Sequence, residues 1–317
     1  KTEQISTYSS KYLVTDYSIF RGDYKTVNEI LNKDLNTGDL LKIKFFSNLV
    51  SGNFNNAKIV SDIIISKEKQ NPLYLVPKYI LNLKNNEFEE IYKTLPDNEI
   101  FFAIKKIDNL INLWNDIEAN KHNFDLNQSF NNTSLHELLI LENFYDNNKL
   151  KKIADFIYNN ELLNQNDYLF LAGFYLRLDN LEKFNEIIKT KLSNQLDKRL
   201  ITTNFLLKKD IFSQTPNLHV ILSSKLYNIA IEENKTWDKS KSVQKILLET
   251  SLFLNPKMDI ATYSLAEIYS SESLYDISLR KLNKITPESY YFLPASLKKL
   301  SIKKFLLKRD DYGKLLF

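Results

Sequence analysis

DYLFLAGFYLRL (residues 167–178) is followed by Asp179-Asn180 and then by LEKFNEIIKTKL (residues 181–192). This segment decides the fold. Apolar residues recur at spacings of three and four in both halves, which is the pattern of two helices that each bury one face. Asp and Asn are favoured in turns and at helix N-termini, because their short side chains accept hydrogen bonds from nearby backbone amides. The segment therefore predicts two antiparallel helices joined by a tight turn.

Short polar turns of this kind recur along the chain. Each has two small polar residues followed by an aromatic residue or leucine, as in Gly22-Asp23-Tyr24 and Gly52-Asn53-Phe54. We number each turn by the residue that stands two positions before its aromatic residue or leucine. The turns then lie at positions 22, 52, 86, 148, 179, 273 and 310. The intervals are one, two or three steps of about 31 to 37 residues, and such a period is typical of stacked helix pairs.

The first of these turns contains the string Arg21-Gly22-Asp23, which also matches an adhesion tripeptide. Gly52-Asn53-Phe54 repeats the pattern without an arginine, so the string is better explained as a turn. We expect Gly22 to end one helix in the left-handed conformation and Asp23 to accept from the amides that open the next.

Composition favours an ordered and nearly all-helical chain. Its 317 residues include only five glycines and seven prolines, too few breakers for a sandwich, a barrel or a Rossmann-type sheet. Hydrophobic residues make up 43% and aromatic residues 13%, which supplies ample apolar surface for a core. Lys and Arg number 43 against 39 Asp and Glu, and the two signs alternate, which indicates a mixed solvated surface.

The sequence offers few candidates for catalysis or cofactor binding. There is no cysteine, and the three histidines lie in unrelated segments without a metal-binding spacing, so we expect ordinary surface or groove histidines. The five glycines are isolated from one another, which argues against a phosphate-cradling loop, and no G-x-S-x-G elbow occurs. We therefore expect a protein that is not an enzyme, with no catalytic residue, cofactor or metal. The three histidines are His122, His136 and His219.

Nucleic acid and membrane are also disfavoured as partners. The C-terminal segment SLKKLSIKKFLLKRDDYGK (296–314) is locally basic, but its lysines fall all round a helix and two aspartates follow directly. The sequence pI of about 8.8 is below the value typical of nucleic-acid-binding domains. No apolar stretch approaches the 18 residues of a membrane span.

The helix pairs resemble those of tetratricopeptide-repeat proteins. That family has an aromatic, a leucine, a small residue and a tyrosine in its first helix, then a polar turn, and a proline near the end of the repeat. Residues 165–192 resemble this pattern, although Phe184 stands where a small residue is expected, and so do residues 259–287. The matching positions are Tyr168, Leu171, Ala172, Tyr175, Asp179, Asn180 and Leu181 in the first, and Leu265, Ala266, Tyr269, Tyr275, Ser278, Leu282 and Pro287 in the second.

The resemblance implies an all-α, right-handed solenoid of about eight or nine antiparallel helix pairs, as one superhelix over residues 1–317. Repeats are irregular or degenerate at 100–130 and 197–240, and the last is incomplete at 317. The layout of repeats and the spacer ITPESYYFLPASLKKL (285–300) resemble secreted or periplasmic proteins of Gram-negative bacteria. We therefore expect a periplasmic location, with the cytoplasm as the alternative.

By the same resemblance, the first helices line a concave face that binds a protein or peptide. The family's carboxylate-gripping sites need asparagine where Phe46 stands, so an acidic C-terminal tail is an unlikely ligand. Each aromatic in the set could instead pack between helices. The implied partner contacts are Tyr12, Asp16, Lys42, Phe46, Phe170, Arg177, Tyr263 and Glu267.

Three functions are compatible with this reading. The first is a non-enzymatic scaffold or adaptor that recruits a protein through the concave face or an end. The second is a structural subunit embedded in a larger assembly, and the third is a helical support domain of an enzyme. Because the chain starts at Lys1 and stops two turns into a helix at Phe317, we expect that a segment was removed upstream, and that the natural chain continues or a partner covers the end.

Overall fold

The computed structural model describes residues 38–67, 99–119, 133–192, 214–232 and 241–307. Within these ranges the chain forms twelve α-helices, one π-helical turn and no strand, which confirms the all-α class. The elements are α1 (Gly38–Val50), α2 (Phe54–Lys67), α3 (Glu99–Glu118), α4 (Leu135–Leu141), α5 (Asn147–Asn160), α6 (Gln165–Arg177), α7 (Leu181–Ile187, followed by the π-helical turn Ile188–Leu192), α8 (Leu218–Glu232), α9 (Lys241–Leu254), α10 (Asp259–Ser271), α11 (Tyr275–Leu282) and α12 (Phe292–Leu307). The predicted turns at 22, 86 and 310 lie outside the described residues.

Consecutive helices pack as pairs. The contacts join α1 to α2, α4 to α5, α6 to α7, α8 to α9 and α10 to α11. Fully buried alanines allow close approach within and between pairs, as at Ala154, Ala172 and Ala266. Phe184, which replaces the small residue of the tetratricopeptide pattern, is also fully buried, and four residues later α7 widens into its π-helical turn.

Three of the predicted turns share one backbone geometry. Gly52, Asp179 and Ser273 have φ angles of 78°, 55° and 63°, in the left-handed region. In each turn the next amide donates to a carbonyl five residues earlier, from Asn53 to Asn48 (2.8 Å), from Asn180 to Tyr175 (2.9 Å) and from Leu274 to Tyr269 (2.9 Å). This bond satisfies a carbonyl that the end of the first helix would leave free. The polar turn is therefore a helix stop that reverses the chain within three residues.

The predicted turn at 148 is different. Helix α5 begins at Asn147, because the Asp146 carboxylate accepts from the amide of Asn148 at 2.7 Å and caps the helix there. Asn148 is thus inside the helix, and it does not have a positive φ. The predicted position of this chain reversal is therefore wrong by about one turn of α-helix. The helix here starts at an Asp side-chain cap and not after a residue in the left-handed conformation.

One apolar core runs through most of the described helices, from Ile107 in α3 to Ile302 in α12. A second apolar cluster joins α1 and α2 to α9. Ile246 of α9 belongs to this cluster, and the ring of Phe253, also on α9, stacks on the ring of Phe54 with 3.6 Å between the ring centroids. Helix α8 likewise packs against α3 and α4 as well as α9. In a row of repeats each unit contacts only its neighbours in sequence. The packing of α1 on α9 goes beyond that rule, so the row of eight or nine pairs stays a prediction.

No helix within the described ranges is both long enough and apolar enough to span a bilayer. The longest, α3, has 20 residues and carries charged groups along its length.

Substitutions at the left-handed residues test the turn geometry. A Cβ added at Gly52 meets no atom within 4 Å, so only its φ of 78° resists a side chain. Gly52→Ala should lower the free energy of unfolding by about 1 kcal/mol. Ser273→Gly removes a side chain from the same conformation and should leave stability unchanged or raise it by up to about 1 kcal/mol. Urea denaturation gives the free energy of unfolding of both variants. A loss of stability in Ser273→Gly would contradict the shared geometry.

Candidate functional site

A groove with a volume of about 660 Å³ opens where three helices begin. Helices α6, α8 and α10 contribute their first turns, and the rest comes from the loops at 214–217, 255–258 and 284–291. The lining residues are Asn166, Leu169, Phe170, Gln214, Thr215, Pro216, Asn217, Val220, Asn255, Pro256, Lys257, Met258, Asp259, Ile260, Lys284, Thr286, Glu288, Ser289, Tyr290 and Tyr291. We refer to this set as the groove.

Local capping places the first two helices. At α6, the side chain of Asn164 accepts from the amide of Asp167 (3.0 Å), whose carboxylate accepts from the amide of Asn164 (3.4 Å). At α8, the oxygen of the Asn217 side chain accepts from the amide of Val220 at 3.0 Å. Helix α10 begins at Asp259, and its N-cap residue, Met258, makes no side-chain capping hydrogen bond. Asparagine caps therefore hold α6 and α8 at the groove, whereas the α10 end has only backbone turns.

The wall of the groove is apolar. Leu169 and Phe170 of α6 are each 3% exposed, and Val220 of α8 is half-buried beside them. Met258, the single methionine of the chain, packs its sulfur 3.2 Å from the hydroxyl oxygens of Ser223 and Ser251. Each of these hydroxyls donates to the main-chain carbonyl of the other serine, at 2.9 and 2.8 Å. The wall is thus built from helix residues and one buried loop residue, which limits its movement.

Two tyrosines of the spacer between α11 and α12 complete the groove. The ring of Tyr291 is 6.2 Å from that of Tyr263 on α10, and only 6% of the residue is exposed. Its hydroxyl is buried with no hydrogen-bond partner among the described residues. Burial, together with the nearby Tyr227 and Asp259, raises the pKa of Tyr291 well above its usual range. Tyr291 therefore keeps its proton at neutral pH, and its hydroxyl stays enclosed within the fold.

A buried polar seam underlies the groove. The Asn166 amide donates to the Ser224 hydroxyl at 2.8 Å, and that hydroxyl lies 3.2 Å from Nε2 of His136 on α4. Beside it, the Asn228 amide donates to Asp167 at 2.8 Å and its oxygen accepts from Asn164 at 2.8 Å. Each of these contacts crosses between helices, so the seam sets the register of α8 against α4 and α6.

His136 corrects the prediction of surface or groove histidines. It is 4% exposed, and burial lowers its pKa well below the ordinary value, with a further contribution from Lys225. Because Ser224 already accepts from Asn166, its hydroxyl proton is free to donate to the neutral imidazole. Ser224 is 1% exposed and does not line the groove, so the pair acts as part of the seam and not as a nucleophile and base.

The predicted partner contacts are dispersed over the described structure. Phe170 lines the groove, while Tyr263 stacks on Tyr291 from outside it and donates to Glu267 at 3.2 Å. Phe46 lies against α9, with the Lys245 ammonium 5.2 Å from its ring. Lys42 lies in α1, and Tyr12 and Asp16 lie outside the described residues. The structure therefore brings Phe170 and Tyr263 into one region, around Tyr291, and places Phe46 against α9.

Arg177 is engaged within the chain. Its Nε and Nη2 donate to the two carboxylate oxygens of Glu142, each at 2.7 Å, and the side chains are 8% and 0% exposed. Glu142 ends α4, and Arg177 ends α6, so the pair joins the ends of two first helices. A two-pronged, buried contact of this kind fixes the spacing between helices.

Sequence reasoning missed most of the groove. Tyr290 and Tyr291 lie in the spacer between two predicted repeats, and Asn217 and Asn255 lie in loops, whereas the repeat pattern predicts contacts only on first helices. The signal that could have found them is the Ser-Tyr-Tyr-Phe-Leu-Pro run within an otherwise polar spacer, since paired tyrosines are common at binding sites. Among the described residues, no cluster of three or more His, Asp or Glu side chains could hold a metal ion.

Acidification tests the buried His136. In the unfolded chain His136 binds a proton near pH 6.5, whereas in the folded protein it binds one only at lower pH. Stability contributed by the neutral imidazole should therefore be present above pH 6.5 and fall as the pH drops below it, by up to about 1.4 kcal/mol per pH unit. Urea denaturation between pH 8 and 5 should show a smaller slope below pH 6.5 for His136→Gln than for the wild type. A constant difference between the two proteins over the whole range would contradict the assignment.

The Glu142–Arg177 pair can be tested by a double-mutant cycle. Glu142→Met or Arg177→Met alone should lower the free energy of unfolding by about 3 kcal/mol, because each leaves the other charge buried and unpaired. The double variant should lie within about 1 kcal/mol of the wild type, since no charge is left uncompensated. Urea denaturation gives the three values, and additive losses in the double variant would show that the pair is solvated.

Comparison with protein-family models, curated sequences and solved structures finds no significant match to this chain. The likeness to tetratricopeptide repeats therefore remains a resemblance carried by the quoted residues.

Proposed function

We propose that this protein is a non-enzymatic scaffold that holds a protein partner in the groove between α6, α8 and α10. The observation that carries the proposal is the groove itself, a concave site with an apolar wall and polar groups around it. Sites of a few hundred Å³ with this mixture are where proteins usually bind ligands.

The support beneath the groove favours binding over a chance crevice. Asn166 lines the groove and also donates to Ser224 in the buried seam, while Met258, another lining residue, is buried against Ser223 and Ser251. A site whose lining residues are held by buried hydrogen bonds is preorganised, so little conformational entropy is lost when a ligand binds.

The proposal includes the finer points that the resemblance implies. The helix pairs continue a right-handed, tetratricopeptide-like array, supported by the common turn at Gly52, Asp179 and Ser273. The protein works in the periplasm of a bacterium, with the cytoplasm as the alternative, and neither nucleic acid nor metal takes part.

A structural subunit is the alternative function. It would be expected to show a continuous apolar face, as permanent interfaces do. The large exposed apolar side chains of the described residues lie instead on separate elements, at Ile59, Leu162, Leu181 and Leu297. Single exposed apolar residues are normal on any surface, so an exchangeable partner in the groove is the better explanation.

Site-specific cross-linking tests the scaffold function. A photoreactive amino acid at Gln214, an exposed residue that lines the groove, should capture a discrete protein partner in extracts of the source cells, and excess unlabelled protein should compete for it. The matched control is the same amino acid at Glu182, an exposed residue of α7 that does not line the groove.

The outcomes separate the alternatives. A partner captured at Gln214 and lost in a high-salt wash before irradiation supports an exchangeable client, whereas one that remains through the wash supports an obligate subunit. Equal capture at Gln214 and Glu182, or none at either, would contradict binding in the groove.

A further inference from the structure

Helix α12 is attached to the rest of the fold by one side. It packs against α11, and among the side chains that the structure describes, only Ala295 and Ile302 join it to the main apolar core. Leu293, Leu297 and Leu300 each lie two residues from one of these, which is a rotation of about 200° on an α-helix. Their spacing of four and three places them on one face, opposite the core. We refer to these three leucines as the outer face of α12.

The outer face is accessible to solvent. Leu297 is 53% exposed, while Leu293 and Leu300 are half-buried and pack on neither apolar cluster of the described residues. Leu297 thus differs from the other exposed apolar residues of the described ranges, since it stands between two further leucines that lie outside the core. Helix α12 therefore carries an apolar stripe on its solvent side as well as on its core side.

The same helix has a concentrated positive charge. Phe292–Leu307 contains four lysines and no Asp or Glu. Lys298, Lys299 and Lys303 have no carboxylate partner among the described residues, and the Lys299 ammonium lies 5.7 Å from the centre of the Phe292 ring. Burial lowers the pKa of Lys299, and the charge of Lys303 lowers it further, as expected where positive charges lack nearby acids. An anionic partner would offset this charge.

The lysines surround the outer face. Lys304 lies four residues after Leu300, at the end of the apolar stripe, and Lys298 and Lys303 lie on its two sides. The long stem of a lysine lets its ammonium group reach past neighbouring leucines. This arrangement matches a surface with negative groups outside and an apolar interior, which is the chemistry of an anionic phospholipid bilayer.

The outer face is small for a protein interface. A helix of 16 residues is about 24 Å long, so a stripe about 10 Å wide has an area on the order of 240 Å². Stable protein interfaces bury about 800 Å² on each partner. A second copy of the chain or another folded protein would need contacts far beyond α12, whereas a bilayer accepts a few apolar side chains without requiring a fixed shape.

We infer that α12 docks on an anionic phospholipid surface, with Leu293, Leu297 and Leu300 among the acyl chains and the lysine ammonium groups at the lipid phosphates. The helix lies along the bilayer plane, because a crossing takes about 20 apolar residues and α12 has 16 with four lysines among them. The inference goes beyond the proposed scaffold function and does not depend on it. Tyr291, which lines the groove, directly precedes α12, so the docked helix holds the groove next to the membrane.

Vesicle co-sedimentation with the whole chain tests the lipid chemistry. Vesicles of phosphatidylcholine and phosphatidylglycerol in equal parts should bind at least about tenfold more protein than vesicles of phosphatidylcholine alone. Binding to the mixed vesicles should fall severalfold when sodium chloride is raised from about 0.05 M to about 0.5 M. Equal binding to the two kinds of vesicle, or no binding to the mixed ones, would overturn the inference.

A pair of matched double variants shows whether α12 supplies the charge. Lys303→Gln with Lys304→Gln should weaken binding to the mixed vesicles about tenfold, because each lysine near an anionic surface contributes severalfold to the binding constant. The control, Lys149→Gln with Lys152→Gln, makes the same change of net charge at two exposed lysines of α5 and should bind like the wild type. An equal loss in both double variants would assign the binding to net charge and overturn the docking of α12.

A fluorescent label shows whether the leucines enter the bilayer. The chain has no cysteine, so Leu297→Cys can carry a single nitrobenzoxadiazole group. Its fluorescence should rise with mixed vesicles and be quenched by brominated acyl chains, whereas the same label at Leu181→Cys on α7, a residue that is 49% exposed, should show neither effect. Binding without quenching at 297 would overturn the inference. A fluorescence change at 297 that depends on protein concentration without vesicles would assign the outer face to a second copy instead.

Discussion

The hydrogen bond from Asn166 to Ser224 is the contact on which the described structure most depends. Both side chains are buried, so the bond has to form wherever α6 and α8 meet, and it can form in only one register. His136 completes the junction from α4, which brings three helices to a single point. Apolar packing alone would tolerate several sliding positions of these helices, whereas buried polar groups without partners would not.

The groove is a consequence of that register. With the first turns of α6 and α8 held side by side, Leu169, Phe170 and Val220 form one surface. The α9–α10 loop closes the surface, since Met258 packs against Ser223 of α8 and Ser251 of α9. The site is therefore made from the beginnings of helices and the loops before them, and only partly from the helix faces that the repeat pattern emphasises.

Charged groups connect the helices farther from the groove. Glu142 and Arg177 tie α4 to α6, and Lys281 and Glu249 form a buried ion pair between α11 and α9. Lys245 contacts Glu272 at 2.8 Å and lies near the rings of both Phe46 and Tyr269, so it links α1 to the later helices. Because each charge is matched within the fold, these side chains that look exposed in the sequence serve as internal contacts.

The sequence by itself determined the local structure. The period of three and four made residues 167–192 a helix pair, and Gly52, Asp179 and Ser273 stopped helices in the left-handed conformation, because both effects depend only on neighbours along the chain. The tertiary structure decided which helices and which side chains contact each other. No periodicity could show that Arg177 would meet Glu142, that His136 would be buried against Ser224, that α1 would pack on α9, or that Tyr291 would close a groove with Phe170. Those contacts depend on how whole helices pack, and a helix has several faces and registers that its own sequence fills almost equally well.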